Sequence, residues 1–417
     1  MLQPPPLRND CFALPPGVDW TPVDDALGLL RDRLSPVTAS QSVPLSAALG
    51  RVLAEDVIAS RSNPPQANSA VDGYGFAGPA GAGAHVLPLV AGRAAAGVPH
   101  DGSVPAGKAI RILTGAALPP GVDTVIMEED VTAEPGRIAF HGPLKAGANA
   151  RRAGEDIAEG ETALRAGRRL GPGDLALLAA VGVANVPVRA RLRVAVLSTG
   201  DELVEAGQAA GPGRIYDANR PMLLGVIERL GFHPVDMGRV GDDRGALRAR
   251  LDEAAGAADA ILTSGGASAG DEDHVSALLK ETGALQEWRI AVKPGRPLAL
   301  ALWGGRPVFG LPGNPVAAMV CTLVFAAPAL ALLSGQGWRD PQGFDLPAAF
   351  EKRKKPGRRE YLRARVRGGR AEVFHSEGSG RISGLSWADG LVELGDGERH
   401  VRPGDPVRFI PWGGFGL

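Results

Sequence analysis

Residues 259–275, with the sequence DAILTSGGASAGDEDHV, decide the fold that the chain is expected to adopt. Four residues that favour a buried strand, 260–263, lead into the glycine-rich turn 264–270 and then into three acidic residues, 271–273. A glycine-rich turn at a strand end exposes backbone N–H groups that suit an anion such as phosphate. The stretch therefore predicts an anion site in an α/β unit, and it raises the question of why that site ends in carboxylates.

The same pattern continues on both sides of this stretch. From residue 193 to about residue 335, predicted buried strands in RVAVLSTGDEL, HPVDMGRVGDD, ADAILTSGG and PVFGLPGNP alternate with predicted helices such as NRPMLLGVIERLG and RGALRARLDEAAG. Alternation of this kind indicates a mostly parallel sheet with helices on both faces, which is a doubly wound α/β domain.

Each strand of this region is followed by an unusual loop. The loops are STGDEL after 194–197, VGDD after 235–237, TSGGASAGDED after 261–262, and GLPGNP after 308–309. Ligands of open parallel sheets bind beyond the carboxyl ends of the strands, so we expect these loops to meet at one mouth. That mouth would gather the carboxylates of Asp201, Glu202, Asp242, Asp243, Asp271 and Asp273.

Carboxylates and a phosphate fit together only if a cation lies between them. Mg²⁺ suits this role because it is bound by one or two carboxylates and keeps waters and phosphate oxygens as its other ligands. The turn Ser264, Gly265, Gly266, Ser268 is therefore predicted to bind phosphate, and Asp273 the metal. The alternative is that acids at a helix start only cap the helix and favour its dipole.

Length and composition narrow the function classes. A chain of 417 residues suggests two to four domains. A net charge of −1 with 44% hydrophobic residues indicates a soluble globular protein with no overall attraction to nucleic acid or membrane. Cys11 and Cys321 form no C-x-x-C motif, and the seven histidines are isolated, so thiolate and histidine metal sites are not indicated.

Two segments bear on localisation. The N-terminal MLQPPPLRND lacks the apolar core of a signal peptide, so we expect a cytoplasmic protein. Residues 316–333 are uncharged for 18 residues, but they contain Pro328 and follow a Gly/Pro loop. This segment is therefore predicted to be a buried core helix rather than a membrane span.

The chain as a whole predicts a multi-domain α/β protein. A helical and extended N-terminal domain would comprise 1–59 and 150–190, with helices at TPVDDALGLLRDRLSPV and LSAALGRVLAEDV. A small β domain with strands at 86–90, 109–113, 124–127 and 138–140 would be inserted at 60–149. The α/β domain would span 191–335, and a β-barrel-like or sandwich domain would span 336–417.

Two other stretches carry candidate chemistry. NSAVDGYG, 68–75, contains an ordinary Asp-Gly turn signal. Residues 351–370 contain ten Lys and Arg against two acids. Nucleic-acid binding would require a strong salt-dependent affinity. A hairpin with a solvated basic face, or a surface for a small anion, is the favoured interpretation.

Eight motifs along the chain resemble one known family. NSAVDGYG, TGAALPPGVDTVIMEED, RRAGEDI, STGDEL, GRIYDAN, TSGGASAGDED, AVKPGRP and GLPGNPV are similar, in this order, to motifs of the molybdopterin molybdenumtransferases, the MoeA-type proteins that include the gephyrin E domain. The resemblance implies an elongated four-domain homodimer whose site combines the α/β domain of one subunit with the insertion region of the other. It also implies Mg²⁺-dependent cleavage of adenylylated molybdopterin, release of AMP and insertion of molybdenum from molybdate.

The resemblance also assigns residues. The functional acids would be Asp72, Asp156, Glu202, Asp242 and Asp273, with Glu202, Asp242 and Asp273 around Mg²⁺. Contacts to molybdate and to the pterin phosphate would come from cations and donors, because acids alone would repel an oxoanion. The implied substrate-binding residues are Thr114, Ser264, Gly265, Gly266, Ser268, Arg289, Lys293, Arg296, Pro297, Gly313, Asn314, Pro315, Arg363 and Ser379.

The chain departs from the family pattern at several positions. Arg289 and Arg296 stand where lysine is usual, and Ala317 where serine is frequent. Residues 64–67 lack the usual Phe-Asp, and Val71 replaces a Met. Arginine keeps the charge but presents a planar fork instead of a flexible ammonium. These departures bear on oxoanion affinity and on the choice between molybdate and tungstate, and they leave the five acids intact.

The favoured function is thus a molybdenum insertase, with adenylylated molybdopterin and molybdate as substrates and transient contacts to other molybdenum cofactor proteins. One alternative is an adenylyltransferase that attaches AMP to molybdopterin with the same α/β domain. Another is a non-catalytic scaffold of the same fold, against which the five acids argue.

Overall fold

The computed structural model describes residues 20–265, 274–281, 286–288, 290–295 and 298–417. The chain packs as two compact units, one formed by residues up to 40 together with 189–417 and the other by 41–188. The finer division into four domains stays a prediction.

The strands of the unit 41–188 are β1 (Ser40–Pro44), β2 (Val57–Ile58), β3 (Asn68–Ser69), β4 (Gly73–Phe76), β5 (Ala80–Ala94), β6 (Ala109–Ile112), β7 (Thr124–Met127), β8 (Val131–Glu134), β9 (Arg137–Leu144), β10 (Ala150–Arg151), β11 (Thr162–Leu164) and β12 (Asn185–Arg189). Six of them form one sheet in the order β7-β4-β6-β5-β9-β8. The four predicted strands of this region are confirmed, in β5, β6, β7 and β9. Phe76, Ile126, Ile138 and Phe140 form the main core of this sheet.

The prediction of a helix at LSAALGRVLAEDV is wrong. Only a single 3₁₀ turn, Leu45–Ala47, forms there. Gly50 adopts φ +72°, and the Leu53 amide donates to the Arg168 carbonyl instead of continuing a helix. Leu53 and Val57 are buried from an extended chain, in a core shared with a helix at Pro172–Ala180. Their apolar spacing is therefore satisfied by tertiary packing.

In the unit that contains 189–417, α1 (Val23–Arg33) confirms the first predicted helix. The strands of the α/β part are β13 (Arg193–Thr199), β14 (Leu203–Val204), β15 (Ile215–Tyr216), β16 (His233–Val240), β17 (Ala260–Ser264), β18 (Gln286–Trp288), β19 (Val292–Lys293), β20 (Leu298–Trp303) and β21 (Arg306–Leu311). Its helices are α3 (Asn219–Arg229), α4 (Arg244–Ala257), α5 (His274–Glu281), α6 (Pro315–Cys321) and α7 (Ala327–Leu333), whereas α2 (Pro172–Ala180) lies in the other unit. Six of these strands form one sheet in the order β16-β13-β17-β21-β20-β18. The first three pairings are parallel and the last two antiparallel, so the sheet is mostly parallel, as predicted.

The central strand β13 explains why helices cover both faces of this sheet. Side chains alternate along a strand. Val194 and Val196 pack into the core that contains α3, α6 and α7, whereas Ala195 and Leu197 pack into the core that contains α4 and α5. A continuous apolar run of this kind is stable only when both faces are covered. The doubly wound architecture is confirmed.

The long apolar segment is a core helix, as predicted. Within the described residues, Pro315–Leu333 is long and apolar enough to cross a membrane, but 94% of its 18-residue apolar stretch is buried inside the protein. The helix widens into a π turn at Thr322–Ala326, between α6 and α7. Its side chains fill the core under β13 and β17.

The elements of the C-terminal part are β22 (Phe344–Pro347), β23 (Lys352–Lys354), β24 (Arg359–Arg367), β25 (Arg370–Val373), α8 (Ser383–Trp387), β26 (Gly390–Leu394), β27 (Arg399–Val401) and β28 (Pro406–Pro411). This part forms the second six-stranded sheet of the unit, in the order β19-β24-β26-β28-β22, with β25 beside β24. The short strand β19 pairs in parallel with β24, so that Lys293 is the register partner of Glu360. This pairing joins the α/β part to the C-terminal sheet.

The basic segment 351–370 forms the predicted hairpin, β24–β25, but its face is not solvated throughout. Lys354 is buried and donates to the carbonyls of Lys355, Asp396 and Gly397. Arg359 binds both carboxylate oxygens of Asp24 at 2.8 Å. Lys354 and Arg359 are thus paired with oxygens of the same unit. The interpretation of this segment as a solvated basic face is wrong for these two residues.

Candidate active site at the strand ends and the C-terminal cleft

The loops that follow β13 and β16 are tied together by two aspartates. The Asp242 carboxylate accepts the Asp201 amide N–H at 3.1 Å, and the Asp201 carboxylate accepts the Asp242 amide N–H at 3.2 Å. Both residues are exposed. The parallel pairing of β13 with β16 brings the two loops to the same sheet edge. This edge therefore presents a fixed pair of carboxylates to solvent.

Glu202 belongs to the same loop. Gly200 has φ +140°, and a Cβ atom there would lie 2.2 Å from Glu202 Oε2. The backbone conformation of residue 200 favours glycine, whereas the exposed Glu202 side chain could move away from an added Cβ. The sequence-predicted acids Glu202 and Asp242 thus lie on loops of one sheet edge. Asp273, the third predicted metal ligand, lies outside the described residues, as do Gly266 and Ser268.

Buried polar atoms at this edge lack partners. Among the described residues, Thr199 Oγ1, Asn219 Oδ1 and Asn314 Oδ1 have no hydrogen-bond partner. Buried polar atoms are normally satisfied, so such a group of exceptions indicates a site for a ligand or ordered water. Thr199 and Asn219 were not predicted as site residues, although both lie in quoted motifs, STGDEL and GRIYDAN.

Asn219 connects the loops of the predicted phosphate site. Its Nδ2 donates to Ser264 Oγ at 2.7 Å and to the Gly313 carbonyl at 2.8 Å. A Cβ atom on Gly265, which has φ +94°, would lie 2.5 Å from the Thr199 carbonyl oxygen. The predicted residues Ser264, Gly265, Gly313 and, at the start of α6, Asn314 and Pro315 are therefore brought together.

The donor set at this edge suits Mg²⁺. Carboxylates on exposed loops leave room for water and phosphate oxygens, which Mg²⁺ keeps as ligands. Within the described part of the chain, no group of three or more His, Cys, Asp or Glu side chains is arranged to hold a metal by itself. Asp243 instead caps α4, accepting the Ala246 amide N–H at 2.7 Å. For Asp243, the capping alternative is correct.

Arg220, at the start of α3, stiffens the segment between β13 and α3. Its guanidinium contacts Asp217, Glu205 and Asp236, with an Nη1–Oδ1 distance of 2.9 Å to Asp236. Burial alone would raise the pKa of Asp236, but hydrogen bonds from Arg220 and from the Gly238 amide outweigh burial and hold it below its usual range. This network anchors the loop that carries Glu202.

In the other unit, Asp72 and Thr114 form a pair. Asp72 Oδ1 accepts the Thr114 hydroxyl at 2.7 Å and the Thr114 amide N–H at 2.6 Å. These two hydrogen bonds, the hydroxyl first, hold the pKa of Asp72 below its usual range. Both residues are exposed, so Asp72 is a carboxylate that stays ionised and faces solvent.

Asp156 lies on a segment that is paired with the Asp72 segment. Ala150 and Arg151 pair antiparallel with Ser69 and Asn68, and the Asp156 carboxylate accepts from Asn63 Nδ2 at 2.9 Å. The two predicted acids of this unit therefore lie on neighbouring segments.

The C-terminal part of the unit 189–417 contains a cleft of about 210 Å³, lined by Lys293, Lys352, Tyr361, Arg363, His375 and Glu377, among others. Lys293 Nζ lies 2.8 Å from Glu377 Oε2. Lys293 and Arg363 were predicted site residues and both line this cleft. Arg289, Arg296 and Pro297 lie outside the described residues.

Besides lining this cleft, Arg363 holds a neighbouring loop. Its guanidinium donates to the carbonyls of Ser376, Gly378 and Arg381, and the contact with Gly378 measures 3.1 Å. Burial, with the charge of Arg381 nearby, lowers the pKa of Arg363. Arg363 thereby holds the loop that carries Ser379, whose carbonyl accepts the Val316 amide N–H at 3.3 Å.

Comparisons with known proteins identify the family of the chain. Three family models match in succession: the MoeA N-terminal region (domain I and II) at residues 21–182, a probable molybdopterin binding domain at 195–332, and the MoeA C-terminal region (domain IV) at 345–412. A molybdopterin molybdenumtransferase of Haemophilus influenzae is 38% identical over 94% of this chain and 98% of the relative. Molybdopterin molybdenumtransferase 2 of Mycobacterium tuberculosis is 33% identical over 88% and 94%, respectively.

A solved structure shares the fold over nearly the whole chain. The molybdopterin biosynthesis moeA protein of Pyrococcus horikoshii OT3 matches with a TM-score of 0.81 and 30% sequence identity, covering 94% of this chain and 100% of that chain. The resemblance drawn from the eight motifs is confirmed. The chain belongs to the MoeA family of molybdopterin molybdenumtransferases, enzymes of molybdenum cofactor biosynthesis.

Proposed function

We propose that the protein is a molybdenum insertase that cleaves adenylylated molybdopterin, releases AMP and transfers molybdenum from molybdate to the dithiolene of the pterin. The observation that carries this proposal is the sheet edge at which the Asp201–Asp242 pair and Glu202 lie on loops beside the unpartnered polar atoms of Thr199, Asn219 and Asn314. A site that binds a phosphate ester of a nucleotide needs hydrogen-bond donors and a cation that balances the negative charge of the phosphate.

Glu202, Asp242 and Asp273 would hold Mg²⁺, which supplies positive charge to the pyrophosphate oxygens as AMP departs. The chain's own contribution is orientation. The reciprocal contacts of Asp201 and Asp242 fix the direction of the Asp242 carboxylate. Preorganised groups of this kind need no rearrangement when charge develops in the transition state.

Two acids would act on the oxoanion side of the reaction. Thr114 holds Asp72 in its ionised form, and the carboxylate would orient water for the reaction. Asp156 would take part in the same task. The proposal includes a cytoplasmic homodimer, in which the α/β site of one subunit is completed by these acids of its partner.

Lys293 and Arg363 would serve the oxoanion. Lys293 is half-buried in the cleft, and it is the register partner of a residue in β24, which fixes its backbone. Such cations suit a tetrahedral dianion, because charge-assisted hydrogen bonds are stronger than hydrogen bonds between neutral groups. Ser379 adds a hydroxyl donor on the loop that Arg363 holds.

The test offers the purified protein two sets of substrates. With adenylylated molybdopterin, we expect AMP release that requires both molybdate and Mg²⁺. With molybdopterin and ATP, we expect no pyrophosphate release. Pyrophosphate release from ATP would identify an adenylyltransferase, and tight binding of adenylylated molybdopterin without any turnover would identify a scaffold.

A further inference from the structure

The cations of the C-terminal cleft already have an anion between them. The Glu377 carboxylate bridges Lys293, at 2.8 Å, and Lys352. Glu360 contacts the same two lysines, at 3.5 Å and 3.0 Å. Two ammonium groups therefore face two carboxylates. In this state the lysine pair has no surplus positive charge with which to attract a dianion.

The two carboxylates differ in exposure. The side chain of Glu360 is 8% exposed and that of Lys352 is 10% exposed, whereas that of Glu377 is 48% exposed. Removing a buried partner of a buried cation is costly, but a half-exposed carboxylate exchanges protein contacts for water at low cost. Glu377 is thus the member of the cluster that can leave.

The backbone around Glu377 can stay fixed while its side chain moves. Arg363 holds the carbonyls of Ser376 and Gly378, the residues on either side of Glu377. The Glu377 carboxylate itself contacts Lys293 and Lys352. Rotation of this one side chain would expose both ammonium groups to the cleft. The cleft, at about 210 Å³, greatly exceeds the ~15 Å³ that one water molecule needs.

We propose that Glu377 is a resident counter-anion of the oxoanion site, and that a tetrahedral dianion binds by displacing its carboxylate from Lys293 and Lys352. The inference rests on the proposed function for the choice of oxoanion, and it adds Lys352 and Glu377 to the residues that set affinity. The incoming dianion carries twice the charge of the carboxylate and can present oxygens to both lysines. Glu377 thereby weakens the binding of every anion that must displace it, and the dianion still binds because it contacts the two lysines more strongly than a singly charged anion does.

Calorimetric titration of the full-length protein with molybdate, in wild type and in Glu377→Gln, tests this inference. We expect Glu377→Gln to tighten molybdate binding about threefold to tenfold, since the exchange of carboxylate for oxoanion is no longer needed. The matched control is Glu372→Gln, which removes one negative charge from an ion pair with Arg365 on the same hairpin. Chloride is the singly charged probe, and we expect its weaker affinity to rise by about the same factor in Glu377→Gln, since chloride also no longer has to displace the carboxylate.

Unchanged or weaker molybdate binding in Glu377→Gln would overturn the inference, as would an equal gain in Glu372→Gln, which would reflect net charge alone. Unfolding temperatures of both variants establish that they are folded, and Glu377→Ala serves as a second variant. The inference and the proposed function fail separately. Tighter binding in Glu377→Gln without any AMP release from adenylylated molybdopterin would refute the insertase alone, and normal insertion with unchanged affinity would refute the counter-anion alone.

Discussion

Asp201 and Asp242 hold each other through their backbones, each carboxylate accepting the amide N–H of the other at 3.1–3.2 Å. The contact joins the loops after β13 and β16 across a parallel pair of strands. Each carboxylate uses one oxygen in this contact. The rigidity of the proposed catalytic edge therefore comes from the acids themselves.

Asp242→Asn should separate charge from loop geometry. The amide oxygen can still accept the Asp201 N–H, so the free energy of unfolding should change by less than ~0.5 kcal/mol. We expect the rate of AMP release to fall about 100-fold, the usual effect of removing one preorganised electrostatic group. The control is Asp345→Asn, an exposed residue of β22. Wild-type turnover in Asp242→Asn would contradict the assignment.

Thr114→Val should raise the pKa of Asp72 toward its ordinary value. The hydroxyl bond favours the ionised form, so its loss lets Asp72 take up a proton at higher pH. Because the pKa of Asp72 is depressed in the folded state, the stability that its ionised form contributes is present above the unfolded-state pKa and is lost as the pH falls through the folded-state pKa.

NMR titration of the Asp72 carboxyl carbon measures this shift. Thr132→Val, at an exposed position of β8 in the same unit, is the control and should leave the pKa unchanged. An unchanged pKa of Asp72 in Thr114→Val would show that the Thr114 hydroxyl does not stabilise the carboxylate.

Arg363→Met should loosen the loop that carries Glu377 and Ser379. The guanidinium is buried and donates to three backbone carbonyls of residues 376–381, which would lose their partner. We expect a loss of about 2–4 kcal/mol in the free energy of unfolding and faster amide hydrogen exchange over residues 376–381. Arg367→Met, at an exposed position of the same strand, should change neither. Unaltered exchange in Arg363→Met would remove the positioning role.

Gly265→Ala should damage the end of β17. The backbone has φ +94°, and the added Cβ would lie 2.5 Å from the Thr199 carbonyl oxygen. Strain and overlap together should cost about 2 kcal/mol or more. Gly305→Ala separates the two effects, because Gly305 has φ +78° but no heavy atom within 4 Å of the added Cβ. The free energies of unfolding are measured by urea denaturation. Equal losses of this free energy in both variants would show that overlap with Thr199 is not significant.

The sheet could be predicted because β13, β17 and β21 are continuous apolar runs that end in glycine-rich loops, and this pattern has few other solutions. The segment 45–57 could not, because its apolar spacing fits a helix as well as an extended chain, and the bond from the Leu53 amide to the Arg168 carbonyl decides between them. That partner is distant in sequence.

The candidate site divides in the same way. The acids of STGDEL and VGDD could be located from their strands, because parallel strands bring their carboxyl ends to one edge. The contact of Lys293 with Glu377 depends on the register of β19 against β24, and no local pattern specifies that register. The burial of Arg363 could not be predicted either, because β24 is covered on both faces over residues 360–364, whereas the charged residues of this segment indicate an exposed strand.

We propose that AMP release and metal insertion are one reaction of this chain. A single-turnover experiment with adenylylated molybdopterin, molybdate and Mg²⁺ counts the AMP released and the molybdenum recovered in the pterin. We expect one molybdenum inserted per AMP released, and loss of both in Asp242→Asn. AMP released without molybdenum in the pterin would show that the two events are separate and would refute the proposal.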